Sequence, residues 1–312
     1  MEFELQTLLG WHLSGKKTVL AIVTEAWGSA PRRAGSLMVI RRDQAFEGSV
    51  SGGCVESSVI GDALELMHFG GSRHLTFGIA DSEAWSVGLA CGGTIKVLLL
   101  AVDHALAEIV GEVMARLQSG KDSLLEIDMK QGRVKFARKH LAVRQDGDIP
   151  SVEGDLLLLP VHPKPRLVIV GAVHIAQHLI RFAIETGFAV TLVDPRGAFT
   201  DGRDFERVEI VRDWPDDFLK RRPPDRHTAV VTLTHDPKLD DAALRIALDS
   251  PAFYIGALGS RKTHNARLDR LQADGFDGAT LARIQGPVGL SIGAATPAEI
   301  ALSVMAASGC IK

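Results

Sequence analysis

The chain has 312 residues, of which 46% are hydrophobic and 23% charged, enough apolar sequence for a globular protein of about two domains. A formal net charge of -3 gives no general attraction to nucleic acid, and three cysteines without a CxxC pair argue against a zinc ribbon or a disulfide framework. The sequence has no secretory signal pattern and no apolar run near the ~20 residues of a membrane span, so we expect a cytoplasmic protein without membrane or nucleic-acid partners.

The first predicted elements form a β-hairpin with a basic tip. Residues 18–26 and 36–42 have the β-branched and apolar content of strands, and the segment GSAPRRAG between them has the glycine and proline content of a turn. Arg32 and Arg33 lie in this turn, where paired guanidinium groups can bind phosphate. The alternative interpretation is a solvated turn.

The segment SVSGGCVESS, residues 49–58, leads into a predicted helix. Apolar residues recur at helical spacing from Val55 to Met67, so we expect Cys54 to begin that helix. Gly52 and Gly53 allow backbone angles at which successive N–H groups converge on an anion, and an electropositive helix start favours a thiolate. Cys54 is therefore a candidate nucleophile or soft ligand, the alternative being a small core residue.

A second cysteine lies in a similar segment, GLACGGT, residues 88–94. Here Cys91, Gly92 and Gly93 come directly before a predicted buried strand that ends at Val102. The two cysteine segments and the arginine tip together suggest a pocket for an anionic ligand with soft chemistry, whereas a bulge at the strand entry is the alternative. Cys310, near the end of the chain, has no comparable setting.

Strands and helices alternate after Pro165. Residues 166–196 predict a strand, a glycine turn, an amphipathic helix and a second strand that ends in Asp194, and three later strands are predicted at 208–213, 228–236 and 252–260. Such alternation is typical of a doubly wound parallel sheet. The predicted fold class is therefore α/β, with a Rossmann-like domain at residues 161–312 that follows a separate α+β domain at residues 1–160.

The glycine turn partly matches a dinucleotide fingerprint. Gly171, Val173 and Ala176 occupy its three positions, and Asp194 follows at about the ~20-residue distance of a ribose-binding acid. Valine at the second position argues against NAD(P), because glycine there lets pyrophosphate approach the backbone. His174 is adjacent and could face the crevice, or it could be an ordinary packing residue.

A basic segment, GSRKTH, follows the last of these predicted strands. Ligands of open α/β sheets bind at the carboxyl ends of the strands, so Arg261 and His264 would make this edge of the sheet basic. The alternative is an ordinary polar loop.

Seven segments follow one another in order over almost the whole chain: GSAPRRAGSLMVI, GSVSGGCVESSV, GLACGGTIKV, LVIVGAVHIAQHL, VTLVDPR, YIGALGSRKTHNARLDRL and GPVGLSIGAATPAEIALSV. Together they resemble the xanthine dehydrogenase accessory protein family of the XdhC and CoxI type. Three positions depart from the family pattern, since Ser51 and Val173 stand where glycine is usual and Ala34 stands where proline is usual.

The resemblance implies a homodimeric molybdenum-cofactor chaperone rather than an enzyme with its own turnover. Such a protein binds molybdopterin, supports its sulfuration by a cysteine desulfurase and delivers it to a molybdenum hydroxylase such as xanthine dehydrogenase. The cofactor-binding residues would be Arg32, Arg33, Gly52, Gly53, Cys54, Cys91, Gly92, Gly93, Gly171, His174, Asp194, Arg261 and His264, with Cys54 as the metal contact. Two alternatives remain open, an NAD(P)-dependent oxidoreductase and a regulatory nucleotide-binding protein.

Overall fold

The computed structural model describes residues 1–28, 30, 32–78, 93–137, 149–197 and 208–309. The chain forms two compact units, Met1–Pro163 and Lys164–Lys312. Within the described ranges, no helix is both long enough and apolar enough to cross a membrane.

The N-terminal unit is built on a five-stranded antiparallel sheet with the order β3-β2-β1-β5-β4. Its strands are β1 (Thr18–Trp27), β2 (Leu37–Arg41), β3 (Phe46–Gly48), β4 (Ser72–Phe77) and β5 (Thr94–Ala101). Its helices are α1 (Glu2–Leu13), α2 (Glu56–Phe69) and α3 (His104–Gln118). Helix α2 packs on one face of the sheet and α1 and α3 on the other, so the first seven residues of β1 are all buried.

A second, four-stranded antiparallel sheet completes this unit. Its strands are β6 (Ser123–Asp128), β7 (Arg133–Phe136), β8 (Ser151–Glu153) and β9 (Leu156–Val161), in the order β7-β6-β9-β8. Alternate residues of its two central strands, such as Leu125 and Leu159, join the core formed by α1 and α3. Helices and antiparallel sheets confirm the α+β prediction for this unit.

The predicted hairpin is also confirmed. Strands β1 and β2 pair antiparallel, from Thr18 opposite Arg41 to Ile22 opposite Leu37. The turn that contains Arg32 and Arg33 therefore lies at the end of the sheet where β1 ends and β2 begins.

The C-terminal unit contains a six-stranded parallel sheet. Its strands are β10 (Arg166–Val170), β11 (Ala189–Val193), β12 (Glu209–Val211), β13 (Thr228–Thr232), β14 (Tyr254–Ala257) and β15 (Ile284–Gln285). Its helices are α4 (His174–Glu185), α5 (Pro215–Arg221), α6 (Pro237–Leu248), α7 (Arg261–Ala273), α8 (Gly278–Leu281) and α9 (Pro297–Gly309). Helices α4 and α9 pack on one face and α5 to α8 on the other.

The strand order of this sheet, β12-β11-β10-β13-β14-β15, is that of dinucleotide-binding folds. The order reverses between β10 and β13, which are neighbours in the sheet and lead to helices on opposite faces. This arrangement confirms the predicted doubly wound, Rossmann-like sheet.

Gly171 sits at the carboxyl end of β10, where no other residue fits. Its φ is +108°, and a Cβ atom there would lie 2.5 Å from Cγ2 of Thr234 on the neighbouring connection. The turn before α4 therefore depends on glycine both for its backbone angle and for close packing.

We expect Gly171→Ala to lower the free energy of unfolding by roughly 2–4 kcal/mol, because it combines a left-handed backbone with overpacking. Gly187→Ala is the matched control, since Gly187 also has a positive φ, +86°, but no atom lies within 4 Å of its would-be Cβ. It should cost about 1 kcal/mol. Denaturant unfolding measures both, and Thr234→Ser should partly restore the Gly171→Ala protein by removing the clashing methyl group. Equal destabilisation of the two alanine variants would contradict the packing argument.

Candidate functional site

The predicted basic tip borders a cavity at one end of the five-stranded sheet. The cavity has a volume of about 370 Å³, and Arg32 lines it together with Ser36, Ser49 and His162, while Glu4 adds an acidic group to the wall. The Nδ1 atom of His162 is hydrogen-bonded to a carboxylate oxygen of Asp122 at 2.6 Å, which fixes the orientation of the ring. The cavity thus combines a cation with hydroxyl and imidazole groups.

The two arginines of the tip are placed differently. Both side chains are exposed, but Arg32 lines the cavity whereas Arg33 lies outside its wall. Neither guanidinium is ion-paired with a carboxylate of the described residues. Arg32 is therefore the tip residue whose charge is available to an anion inside the cavity.

A buried carboxylate, that of Glu56, organises the loop of residues 49–55. Glu56 is 7% exposed. Its two oxygens accept hydrogen bonds from four backbone amides and two hydroxyls of this loop. The donors are the amides of Val50, Ser51, Gly53 and Val55 and the hydroxyls of Ser49 and Ser51.

The other three amides of the loop also have acceptors, and that of Ser49 donates to the Leu37 carbonyl oxygen at 3.1 Å. The Gly52 amide donates to the Ser49 hydroxyl at 2.8 Å, and the Cys54 amide donates to the Ser51 hydroxyl at 2.9 Å. The amides therefore converge as the glycines predicted, but the anion that they surround is the protein's own carboxylate. In this conformation Gly52 and Gly53, with φ of +79° and +116°, shape the loop and do not offer unbonded amides to a ligand.

The hydrogen bonds keep Glu56 ionised in spite of its burial. Burial alone raises the pKa of a carboxyl group, but hydrogen bonds from Ser49, Ser51 and the loop backbone outweigh it, so the pKa of Glu56 falls to about 2. The loop consequently contains a permanent negative charge at neutral pH. That charge opposes the electropositive helix start that the sequence indicated for Cys54.

Cys54 itself is exposed on this loop. Helix α2 begins at Glu56 with Val55 as its N-cap, so the expectation that Cys54 begins the helix was wrong by two residues. Exposure also excludes the alternative that Cys54 is a small core residue. Of the other predicted site residues, Cys91 and Gly92 lie outside the described residues, as does Cys310.

The second cysteine segment meets the arginine tip at Gly93. A Cβ atom on Gly93 would lie 2.7 Å from the amide nitrogen of Ala30 and 2.8 Å from the carbonyl oxygen of Trp27. The backbone of the tip therefore packs directly on this glycine. The structure therefore brings the arginine tip and the start of β5 together. Ser49 belongs both to the cavity wall and to the loop that contains Cys54.

Asp194, at the carboxyl end of β11, was expected to be a ribose-binding acid, but its carboxylate is fully engaged within the protein. It is completely buried and accepts hydrogen bonds from the Ala172 amide at 2.8 Å and from the amide, Nε and Nη2 of Arg196 at 2.8–2.9 Å. Burial raises its pKa, but the hydrogen bonds from Arg196 and Ala172 prevail and lower it. Asp194 thus fastens the glycine turn to β11.

Val173 was expected to project into the space of a pyrophosphate. Instead its side chain is partly buried and packs against the core beneath α4, whose N-cap it is. The engaged carboxylate of Asp194 is therefore the stronger structural argument against dinucleotide binding.

The remaining predicted residues also belong to the C-terminal unit, on the first turns of two helices. His174 is exposed as the first residue of α4, and Arg261 is exposed as the first residue of α7. His264 is half-buried against Gly286, where a Cβ atom would lie 2.1 Å from its Nδ1. Burial, and secondarily the charge of Arg267, lowers the pKa of His264. The carboxyl edge of the parallel sheet is therefore basic at Arg261, whereas the ring of His264 packs against Gly286.

Sequence reasoning missed Glu56, Arg196 and His162. A signal for Glu56 was present, because a glutamate at a helix start can accept a hydrogen bond from the amide three residues earlier, here that of Gly53. The pairing of Arg196 with Asp194 was suggested only by their separation of two residues. No local sequence signal marks His162, which lines the cavity because it directly follows strand β9 of the second sheet.

We expect Glu56→Gln to lower the free energy of unfolding at pH 7 by about 3 kcal/mol, because the hydrogen bonds stabilise the ionised carboxylate. A folded pKa of about 2, below the ordinary 4.5, contributes stability above pH 4.5 that is lost as the pH falls toward 2. The variant should therefore lose less stability than the natural protein over this interval in urea unfolding.

Glu65→Gln is the control for this measurement. Glu65 lies on the same helix, but its side chain is 68% exposed and pairs with Arg73 at the surface, so its removal should cost less than about 1 kcal/mol. A stability difference between natural and Glu56→Gln proteins that stays constant from pH 7 to pH 2 would show that the charge of Glu56 does not hold the loop.

Comparison with known proteins adds evidence of relationship. Residues 11–78 match the description "XdhC and CoxI family", and residues 167–307 match "XdhC Rossmann domain". A crystal structure described as a xanthine dehydrogenase from Bacillus halodurans superposes with a TM-score of 0.80 and 26% identity, covering 99% of this chain and 95% of that one.

Two curated proteins are similar over nearly their full lengths. The "Molybdenum cofactor insertion chaperone PaoD" of Escherichia coli K12 is 31% identical, over 96% of this chain and 85% of that protein. The second, from Bacillus subtilis 168 and named as a "Probable xanthine dehydrogenase" subunit, is 28% identical, over 93% of this chain and 92% of that protein. Family descriptions match both units, and the resemblance seen in the sequence motifs is confirmed. This chain belongs to the XdhC and CoxI family.

Proposed function

We propose that this protein is a molybdenum-cofactor chaperone that holds the cofactor in its N-terminal unit. The observation that carries the proposal is the cavity that Arg32, unpaired with any described carboxylate, lines together with Ser36 and Ser49. Ser49 also bonds to Glu56 and so connects the cavity to the loop that exposes Cys54. A relative of 31% identity named as a molybdenum cofactor insertion chaperone supports the same function.

The chemistry of these groups suits molybdopterin, which carries a phosphate, a dithiolene and a metal centre. A guanidinium group binds phosphate through charge-assisted hydrogen bonds, and the Ser36 hydroxyl can donate a further one, whereas the Ser49 hydroxyl already donates to Glu56. The thiol of Cys54 is a soft ligand of the kind that binds molybdenum or transfers sulfur. Anion recognition and soft chemistry are therefore supplied by neighbouring parts of one unit.

The finer steps belong to the same proposal. The protein would retain the cofactor while a cysteine desulfurase supplies the terminal sulfur, and would then deliver it to a molybdenum hydroxylase of the xanthine dehydrogenase type. It would act in the cytoplasm as a homodimer and would have no turnover of its own. The names of the Bacillus relatives, which refer to xanthine dehydrogenase, support this choice of client.

An NAD(P)-dependent oxidoreductase is the second candidate, favoured by the strand order of the C-terminal sheet and by Gly171. The carboxylate expected to bind a ribose is, however, buried and bonded to Arg196. A regulatory nucleotide-binding role meets the same obstacle. The identity of the bound ligand distinguishes an oxidoreductase or a regulatory nucleotide-binding protein from a cofactor chaperone.

We expect anaerobic titration with molybdenum cofactor released from a purified hydroxylase to show saturable binding that Arg32→Ala weakens about tenfold or more at low salt. The difference should shrink as salt rises, because a charged contact is screened. Arg33→Ala is the matched control and should have a smaller effect, since Arg33 lies outside the cavity wall. No binding of the cofactor together with micromolar binding of NAD or NADP would replace the chaperone with the oxidoreductase.

We expect Cys54→Ala to fold normally, because the side chain is exposed, and to fail in retaining the sulfurated cofactor or in activating a molybdenum hydroxylase. Cys310→Ala should behave like the natural protein in both assays. Full retention and full activation by the Cys54→Ala protein would remove the thiol from the proposed mechanism.

A further inference from the structure

Trp27, the last residue of β1, carries a large apolar ring at the surface. Its exposed fraction is 51%, although the first seven residues of the same strand are buried. It directly precedes the turn that contains Arg32. An exposed aromatic ring beside an anion-binding tip is a feature that neither the fold nor the cavity requires.

A fixed cation lies against this indole ring. The Lys96 ammonium lies 5.2 Å from the ring centroid and is held by the Glu25 carboxylate at 3.3 Å. Glu25 pairs with Lys96, and Trp27 with Thr94, across the β1–β5 ladder, so these side chains share one face of the sheet. The cation–π contact stabilises the observed orientation of the ring.

The ring and the cavity lie on the same face and at the same end of the sheet. Lys96 precedes Leu98 by two residues on β5, and Leu98 packs in the same core as Leu37, which lines the cavity. The antiparallel pairing of β1 and β2 ends at Ile22 opposite Leu37, and β1 continues beyond this pair, along β5, to Trp27 opposite Thr94. Trp27 lies outside the cavity wall but on the same connection as Arg32, so the two side chains can contact different parts of one ligand that extends out of the cavity.

The backbone that supports Trp27 is closely packed. The Cβ position of Gly93 lies 2.8 Å from the Trp27 carbonyl oxygen and 2.7 Å from the Ala30 amide, so glycine alone allows the two segments to meet. A ring on such a support loses little conformational freedom when a flat molecule stacks on it.

We propose that Trp27 is the stacking platform for the planar heterocycle of a pterin whose phosphate is bound at Arg32. The inference rests on the proposed function and specifies the part of the ligand that this residue recognises. Stacking of a heterocycle on an aromatic side chain contributes enough affinity to change a dissociation constant by about ten- to a hundredfold. Trp27 would thus distinguish a phosphorylated pterin from a simple phosphate.

The test compares Trp27→Ala and Trp27→Phe in anaerobic titrations with molybdenum cofactor released from a purified hydroxylase. Trp27→Ala should weaken binding about tenfold or more, whereas Trp27→Phe should stay within a few-fold of the natural protein, because it keeps a stacking ring. Quenching of indole fluorescence at saturation should decrease in Trp27→Phe. Trp214→Ala is the matched control, since Trp214 is 48% exposed but belongs to the C-terminal unit.

The outcomes separate this inference from the proposed function. If the natural protein does not bind the cofactor, both the proposed function and the stacking role of Trp27 are contradicted. If the natural protein binds it and Trp27→Ala binds equally well, the proposed function stands and the stacking role is overturned. A Trp27→Ala protein with unchanged affinity but altered self-association in sedimentation would also overturn the stacking role, because the ring would then serve contact with a second copy.

Discussion

The buried carboxylate of Glu56 is the constraint on which the candidate site depends. An ionised group removed from water requires several hydrogen-bond donors, and Glu56 obtains four amides and two hydroxyls from the loop of residues 49–55. The loop satisfies this requirement in a tightly turned conformation with left-handed backbone at Gly52 and Gly53. That conformation leaves Cys54 exposed while Ser49 lines the cavity of Arg32.

Asp194 is a second buried carboxylate, in the C-terminal unit, and it likewise fixes the conformation of a turn through hydrogen bonds. Asp194 accepts hydrogen bonds from the Ala172 amide and the Arg196 guanidinium, so the carboxylate at the ribose position of dinucleotide-binding folds is bonded within the protein. The N-terminal unit uses its buried carboxylate to shape a loop but leaves Arg32 unpaired with any described carboxylate.

The architecture could be predicted from the sequence because it depends on periodicity and on glycine. β-Branched and apolar content identified β1 and β2, and the strand–turn–helix pattern around Gly171 identified the parallel sheet. The site was predictable only in part, since the tip and loop segments were recognised but the partners of their polar atoms were not. Hydrogen-bond partners such as Glu56 depend on tertiary geometry, and the exposure of Trp27 contradicts its apolar character, so local sequence could not indicate either.

The most direct test of cofactor binding in the N-terminal unit is a crystal structure of the protein grown with molybdenum cofactor, with anomalous data collected at the molybdenum absorption edge. The account predicts an anomalous peak within the N-terminal unit, with phosphate density against Arg32 and the pterin beside Trp27. A peak at the carboxyl edge of the parallel sheet, among Gly171, His174 and Arg261, would contradict it.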